Sequence, residues 1–115
     1  MTAEPHSVQS RTPASDPVLR EFSARLRAAL GSHLRHLVLF GSRARGDAGN
    51  GSDYDILIVV DDQAPSLRQT VLEVEVHMLD THGALFASVL RSEEQWEQAQ
   101  GFPLAMNIAR EGLPL

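Results

Sequence analysis

The sequence predicts a mixed α/β (α+β) fold in which helices flank a small mixed β-sheet. Two apolar segments, residues 34–40 and 53–60, have the length and the Ile, Leu and Val content of buried strands. A segment with helical periodicity precedes them and others follow. With 115 residues, of which 43% are hydrophobic and 22% charged, the chain is long enough for one globular domain and too short for two.

The first helix is predicted over residues 17–30. Asp16 is a favourable N-cap, Pro17 suits the first helical position, and Gly31 ends the apolar periodicity. Residues 1–15 are polar, contain two prolines and show no periodicity, so we expect a flexible tail ahead of a single domain over residues 16–115.

The second half of the chain contains one ambiguous segment. Residues 66–82 fit both the alternation of a strand and one apolar face of a helix, and we favour the helix. The other segments are predicted as a loop over 46–52, a turn over 61–65, a strand over 84–90, a short helix capped by Ser92 and Gln95, and a last helix over 103–111.

Two residue types are absent, and each absence excludes chemistry. Without cysteine there is no disulfide, thiolate metal site or cysteine nucleophile. All ten basic residues are arginine, so a lysine-containing phosphate loop and a lysine Schiff base are also excluded.

The charge balance and the apolar runs bear on partners and location. Acidic residues outnumber basic ones 15 to 10, which disfavours bulk nucleic-acid binding. The longest strongly apolar run, residues 56–60, is too short to cross a bilayer, and the first fifteen residues lack the apolar core of a signal peptide. We therefore expect a soluble, cytoplasmic protein with no membrane partner.

The most informative segment is GSRARG at residues 41–46, directly after the first strand. A break at Gly41 and Ser42 that leads into a short helical turn presents free backbone N–H groups, and glycine lets an anion approach them closely. Arg43 and Arg45 add forked donors suited to phosphate oxygens. This segment is therefore a candidate phosphate site.

An aspartate pair follows in the segment SDYD at residues 52–55. Asp53 and Asp55 are two positions apart on a predicted strand, so their side chains leave the same face. Two carboxylates that repel each other call for a counter-charge, and Mg²⁺ bound by carboxylates and substrate phosphates supplies one. A phosphate turn beside such a pair is typical of metal-assisted phosphoryl transfer.

These two segments resemble the nucleotidyltransferase superfamily that includes DNA polymerase β, and most closely its minimal members, which are often encoded beside HEPN-domain proteins. The resemblance implies the polymerase β-like fold, with Gly41 and Ser42 holding the β- and γ-phosphates of ATP or another nucleoside triphosphate. It also implies that Asp53 and Asp55 are catalytic and bind Mg²⁺ in a two-metal site. Arg43 and Arg45 would contact phosphate, although Arg45 could instead pair with Asp47 or fix the loop.

One expected feature of the family is missing from the predicted strands. Family members carry a third carboxylate on a later strand, whereas the strand predicted over residues 84–90 contains no acid. If residues 71–78 were the strand instead, Glu73 and Glu75 would share one face, and Glu75 would be the better candidate. We favour a helix there, which makes both residues parts of a helix surface.

Two functions follow from the resemblance. The first is a Mg²⁺-dependent enzyme that transfers a nucleoside monophosphate, AMP from ATP, to a hydroxyl of a partner protein, as the antitoxin of a HEPN-type toxin. The second is a non-catalytic module that binds a nucleotide or a partner, with an incomplete active site. Because the chain is too short for a separate acceptor-binding domain, the partner is expected to be another protein or a second copy of the chain.

Overall fold

Helices and strands alternate along the computed structural model, which describes residues 16–46, 53–62 and 65–115. The helices are α1 (Pro17–Leu30), α2 (Ser42–Arg45), α3 (Pro65–His82), α4 (Glu93–Gln98) and α5 (Pro103–Glu111), with a 3₁₀ turn at Gly31–His33. The strands are β1 (Leu34–Phe40), β2 (Tyr54–Val60), β3 (Phe86–Ser92) and β4 (Leu113–Pro114). The predicted tail at residues 1–15 and most of the predicted loop over 46–52 lie outside the described residues.

The four strands form one mixed sheet in the order β3-β2-β1-β4. Strand β1 pairs antiparallel with β2 and with β4, whereas β2 and β3 are parallel and α3 connects them. Parallel neighbours need such a long crossover, because a short turn joins only antiparallel strands. The predicted fold class, a small mixed sheet with flanking helices, is confirmed.

The two faces of the sheet are covered differently. Alternate β2 residues from Tyr54 to Val60 belong to the larger buried cluster, together with apolar residues of α1 and α3. Leu57 and Val59 point the other way and pack with Ile108 of α5. Asp55 follows the alternation of Leu57 and Val59, so its side chain lies on the face that α5 covers.

The predicted ends of the first helix are confirmed. The Asp16 carboxylate accepts hydrogen bonds from the N–H groups of Val18 and Leu19 at 3.0 and 3.1 Å, and Pro17 occupies the first turn. Gly31 ends the helix with a φ of 57°. The capping box of Ser92 and Gln95 on α4 is also present.

The helix favoured for residues 66–82 is confirmed, whereas the predicted bounds of the third strand are corrected. Residues 65–82 are helical, because the buried positions Val71, Val74 and Met78 follow the helical period, and the strand alternative is wrong. Strand β3 runs over 86–92 rather than 84–90, because its first residue is set by pairing with Tyr54 and its last residue, Ser92, is also the N-cap of α4.

None of the helices in the described parts of the chain combines the length and the apolar character that a membrane span requires.

Candidate active site

The Gly41–Ser42 turn forms where β1 ends, as the sequence predicts. Gly41 has a φ of 79° and a ψ of −159°, a combination open essentially to glycine alone. Its carbonyl accepts the N–H of Arg45 at 3.1 Å, which closes the single turn α2, and Gly46 ends that turn in the left-handed conformation. Glycines at both ends thus allow a tight helical turn between two buried strands.

Asp55 is packed against this turn. Antiparallel pairing places it opposite Phe40, the residue before Gly41. A Cβ atom added at Gly41 would lie 2.2 Å from the Asp55 Oδ2 atom. Gly41 is therefore needed for two reasons, its backbone conformation and the close approach of a carboxylate.

The two aspartates form an acidic pair at the start of β2. Asp53 is exposed and Asp55 is half-buried. Burial raises the pKa of Asp55, the charge of Asp53 raises it further, and the charge of Arg45 acts in the opposite direction. A bound divalent cation would offset both the burial of the Asp55 charge and its repulsion by Asp53. The chemistry of this donor pair therefore fits Mg²⁺, which binds one or two carboxylates together with substrate phosphates.

The raised pKa of Asp55 predicts a gain of stability on neutralisation. An acid with a raised pKa binds more protons in the folded than in the unfolded state, so stability falls as pH rises from the ordinary value of 3.8 through the raised value. We expect Asp55→Asn to increase the free energy of unfolding at pH 7 and to lose that advantage below pH 3.8. Urea unfolding across this pH range, with the exposed Asp62→Asn as the matched control, measures the effect; an Asp55→Asn variant less stable at pH 7 contradicts it.

Arg45 contacts an acidic residue that sequence reasoning did not assign to the site. Its Nη1 atom lies 3.2 and 3.3 Å from the two carboxylate oxygens of Glu111, the last residue of α5. Glu111 Oε1 also accepts the N–H of Gly41 at 3.2 Å. Only the docking of α5 on the sheet joins positions so distant in the chain, so local pattern could not reveal this contact. Asp47, the alternative partner of Arg45, lies outside the described residues.

Arg43 has a different environment. Its guanidinium lies over the ring of Tyr54, 3.9 Å from the centroid, and Tyr54 stacks on Phe86 at 4.4 Å. The Tyr54 hydroxyl donates to Asp16 Oδ2 at 2.7 Å, and burial together with Asp16 raises the pKa of Tyr54 to about 12. Through Tyr54, Arg43 links α2 to Asp16 at the N-terminus of α1, whereas Arg45 links α2 to Glu111 of α5.

No third carboxylate joins the aspartate pair among residues 16–46, 53–62 and 65–115, where no group of three His, Asp or Glu residues could hold a metal ion. The β3 residue in register with Asp55 is Ala87. Glu75 lies on α3 beside Ser88, which is in register with Ile56 and so on the opposite face of the sheet from Asp55. Glu73 is exposed on the same helix. The alternative in which residues 71–78 form a strand, with Glu75 or Glu73 as the third carboxylate, is therefore wrong.

Comparisons with known proteins bear on the family and the fold of this chain. A family model described as "Nucleotidyltransferase domain" matches residues 19–100. The Methanocaldococcus jannaschii protein named "Putative protein adenylyltransferase MJ0604" is 29% identical over 97 residues, which cover 84% of this chain and 93% of that protein.

Two solved structures show the same fold at low identity. One is described as a toxin–antitoxin with AMP-PNP, and it matches with a TM-score of 0.58 and 19% identity. The match covers 82% of this chain and 69% of that chain. The other, a mutant of the toxin–antitoxin MntA–HpeT, has a TM-score of 0.56 and 16% identity, with coverages of 83% and 69%. Because the family model spans most of the sequence and these structures share its fold, the chain belongs to the nucleotidyltransferase domain family.

Proposed function

We propose that this chain is a Mg²⁺-dependent nucleotidyltransferase that moves AMP from ATP to a hydroxyl group of a partner protein. The observation that carries the proposal is the close packing of Asp55 against Gly41, with the charge of Asp53 acting on the Asp55 carboxyl. This packing supports a site in which the carboxylates bind the metal and the adjacent turn binds phosphate.

The residues of the chain would divide the work as follows. Gly41 would let the β- and γ-phosphates approach the turn closely, and Ser42 would position them through its backbone N–H group and its hydroxyl, because the Gly41 N–H donates to Glu111. Asp53 and Asp55 hold Mg²⁺, which when bound polarises the α-phosphate and offsets the charge of the leaving group. Both arginines lie on α2, and Arg45 is the better candidate for phosphate, because Arg43 lies over Tyr54.

The reaction exchanges one bond to phosphorus for another. The acceptor oxygen bonds to the α-phosphorus, the bond from that phosphorus to the bridging oxygen breaks, and pyrophosphate leaves. The acceptor proton needs a base, and Ala87 stands where a carboxylate on β3 would face Asp55. We infer that water or the partner protein takes this proton.

The acceptor is proposed to be a HEPN-type protein encoded beside this chain, which AMP transfer would neutralise. Support comes from the adenylyltransferase name of the Methanocaldococcus jannaschii relative and from the toxin–antitoxin complexes that share the fold. The chain itself offers exposed apolar side chains on α3 for such a contact, namely Leu72, Val76 and Leu79.

The position of Ala87 also favours a second candidate function. Without a carboxylate there, the same site could bind a nucleotide and a partner without transfer, and regulate the partner by contact alone. Incubation with Mg²⁺, the neighbouring protein and ATP labelled at the α- or the γ-phosphate separates the two functions. Label on the partner from α-labelled ATP alone supports nucleotidyl transfer, label from γ-labelled ATP indicates phosphoryl transfer, and nucleotide binding with no label supports the second function.

Glu75 provides a test of the corrected site. Burial raises the pKa of its carboxyl, and its Oε2 atom is buried without a hydrogen-bond partner in the described structure. We expect Glu75→Gln to leave transfer unchanged and to raise the unfolding temperature at pH 7, because the amide avoids burying a charge. Loss of transfer in a variant that remains folded would show that Glu75 serves the reaction after all.

A further inference from the structure

Two carboxylates meet the same glycine from different directions. Asp55 lies against the Cα of Gly41, whereas Glu111 accepts the N–H of Gly41 and binds Arg45. The Glu111 side chain is 18% exposed and the Arg45 side chain is 47% exposed, so the ion pair is partly open to water. Because such a pair contributes little to stability, its importance lies in where it holds the guanidinium group.

The end of α5 is fixed in place by close packing. A Cβ atom on Gly112 would lie 2.7 Å from Val38 Cγ1 and 2.5 Å from the Ile108 carbonyl oxygen, so glycine alone brings the helix end this near to β1. The next residue, Leu113, pairs with Leu39 as part of β4. Glu111 is thus presented to the turn by a rigid neighbour.

Arg45 interacts with at least two acidic groups in the described part of the chain. It is hydrogen-bonded to Glu111, and its charge also acts through space on the Asp55 carboxyl. A guanidinium forms its best ion pairs with carboxylates, so an Arg45 released from Glu111 would compete with a cation for the aspartate pair.

We propose that Glu111 is a positioning residue of this site, which holds Arg45 in an ion pair beside the Gly41 turn and so limits its competition with a cation for Asp53 and Asp55. The inference rests on the proposed function, because it assumes that the aspartate pair binds a divalent cation. The inference adds Glu111 to the site as the residue that determines whether Asp53 and Asp55 bind a cation or pair with Arg45.

The test measures binding of Mn²⁺ alone to the full chain by calorimetry. We expect Glu111→Gln, which keeps an acceptor for the Gly41 N–H but loses the charge, to weaken Mn²⁺ binding roughly 10-fold or more. Arg45→Gln alone should bind Mn²⁺ at least as tightly as the wild type, and adding it to Glu111→Gln should restore binding. Glu93→Gln, which removes the same charge from the exposed pair with Arg35 at 3.6 Å, is the matched control and should bind like the wild type.

The outcomes separate this inference from the proposed function. Unchanged Mn²⁺ binding in Glu111→Gln, weak binding in the double variant, or weak binding in Arg45→Gln overturns the role of Glu111, because a merely structural residue would not be rescued by removing Arg45. If the wild type binds Mn²⁺ no better than Asp55→Asn, the metal site and therefore the proposed function fail as well.

Discussion

Replacing Asp55 with asparagine is expected to reduce nucleotidyl transfer about 1,000-fold, because a bound metal contributes several kcal/mol to the transition state and each 1.36 kcal/mol is worth a factor of ten. The amide keeps the shape of the side chain beside Gly41 but loses the charge that holds the cation. The rate of label transfer from α-labelled ATP to the partner protein measures this effect.

The same substitution carries its own control for folding. Because Asp55→Asn is expected to be more stable than the wild type at pH 7, its lost activity cannot be attributed to unfolding. Asp62→Asn, an exposed aspartate beyond the other end of β2, should transfer at the wild-type rate. A transfer rate for Asp55→Asn close to that of Asp62→Asn would remove Asp55 from the mechanism.

Replacing Gly41 with alanine is expected to damage both the fold and the reaction. Alanine in this backbone conformation is strained by about 1–3 kcal/mol, and its Cβ would lie 2.2 Å from Asp55 Oδ2, so the carboxylate must move. A displacement on the order of 1 Å at a catalytic group can lower the rate about 100-fold. Urea unfolding and the transfer assay, done on the same preparation, measure the two effects.

Gly31→Ala is the matched control for Gly41→Ala. Gly31 also has a positive φ, 57°, but nothing lies within 4 Å of a Cβ placed there. This variant should therefore lose stability through backbone strain and keep its transfer rate in the folded state. Equal losses of transfer in both variants would mean that the contact between Gly41 and Asp55 has no special role.

Much of the fold can be predicted from local signals. The first helix is bounded by Asp16 and Gly31, a cap and a terminator that act within one turn of the chain. The segments at 41–46 and 53–60 carry their own turn and strand chemistry, and the structure places them side by side through the pairing of β1 with β2. A glycine turn and an aspartate pair close in sequence are thus sufficient to predict that Gly41 and Asp55 lie side by side.

The remaining features depend on contacts between distant parts of the chain. Residues 66–82 have apolar side chains on more than one helix face, with Leu72 and Val76 exposed, so their period is ambiguous until the crossover from β2 to β3 requires a helix. Glu111 reaches Gly41 only because α5 packs on the sheet. Likewise, Ala87 faces Asp55 by strand register, which no local pattern specifies.

The most direct test of the central claim is the intact mass of the partner protein after incubation with this chain, ATP and Mg²⁺. We expect the partner to gain the mass of one or more AMP groups with the wild type and to remain unmodified with Asp55→Asn or without Mg²⁺. An unmodified partner in the presence of wild-type protein that binds ATP, or a modification that persists in Asp55→Asn, would contradict transfer by the aspartate pair beside Gly41.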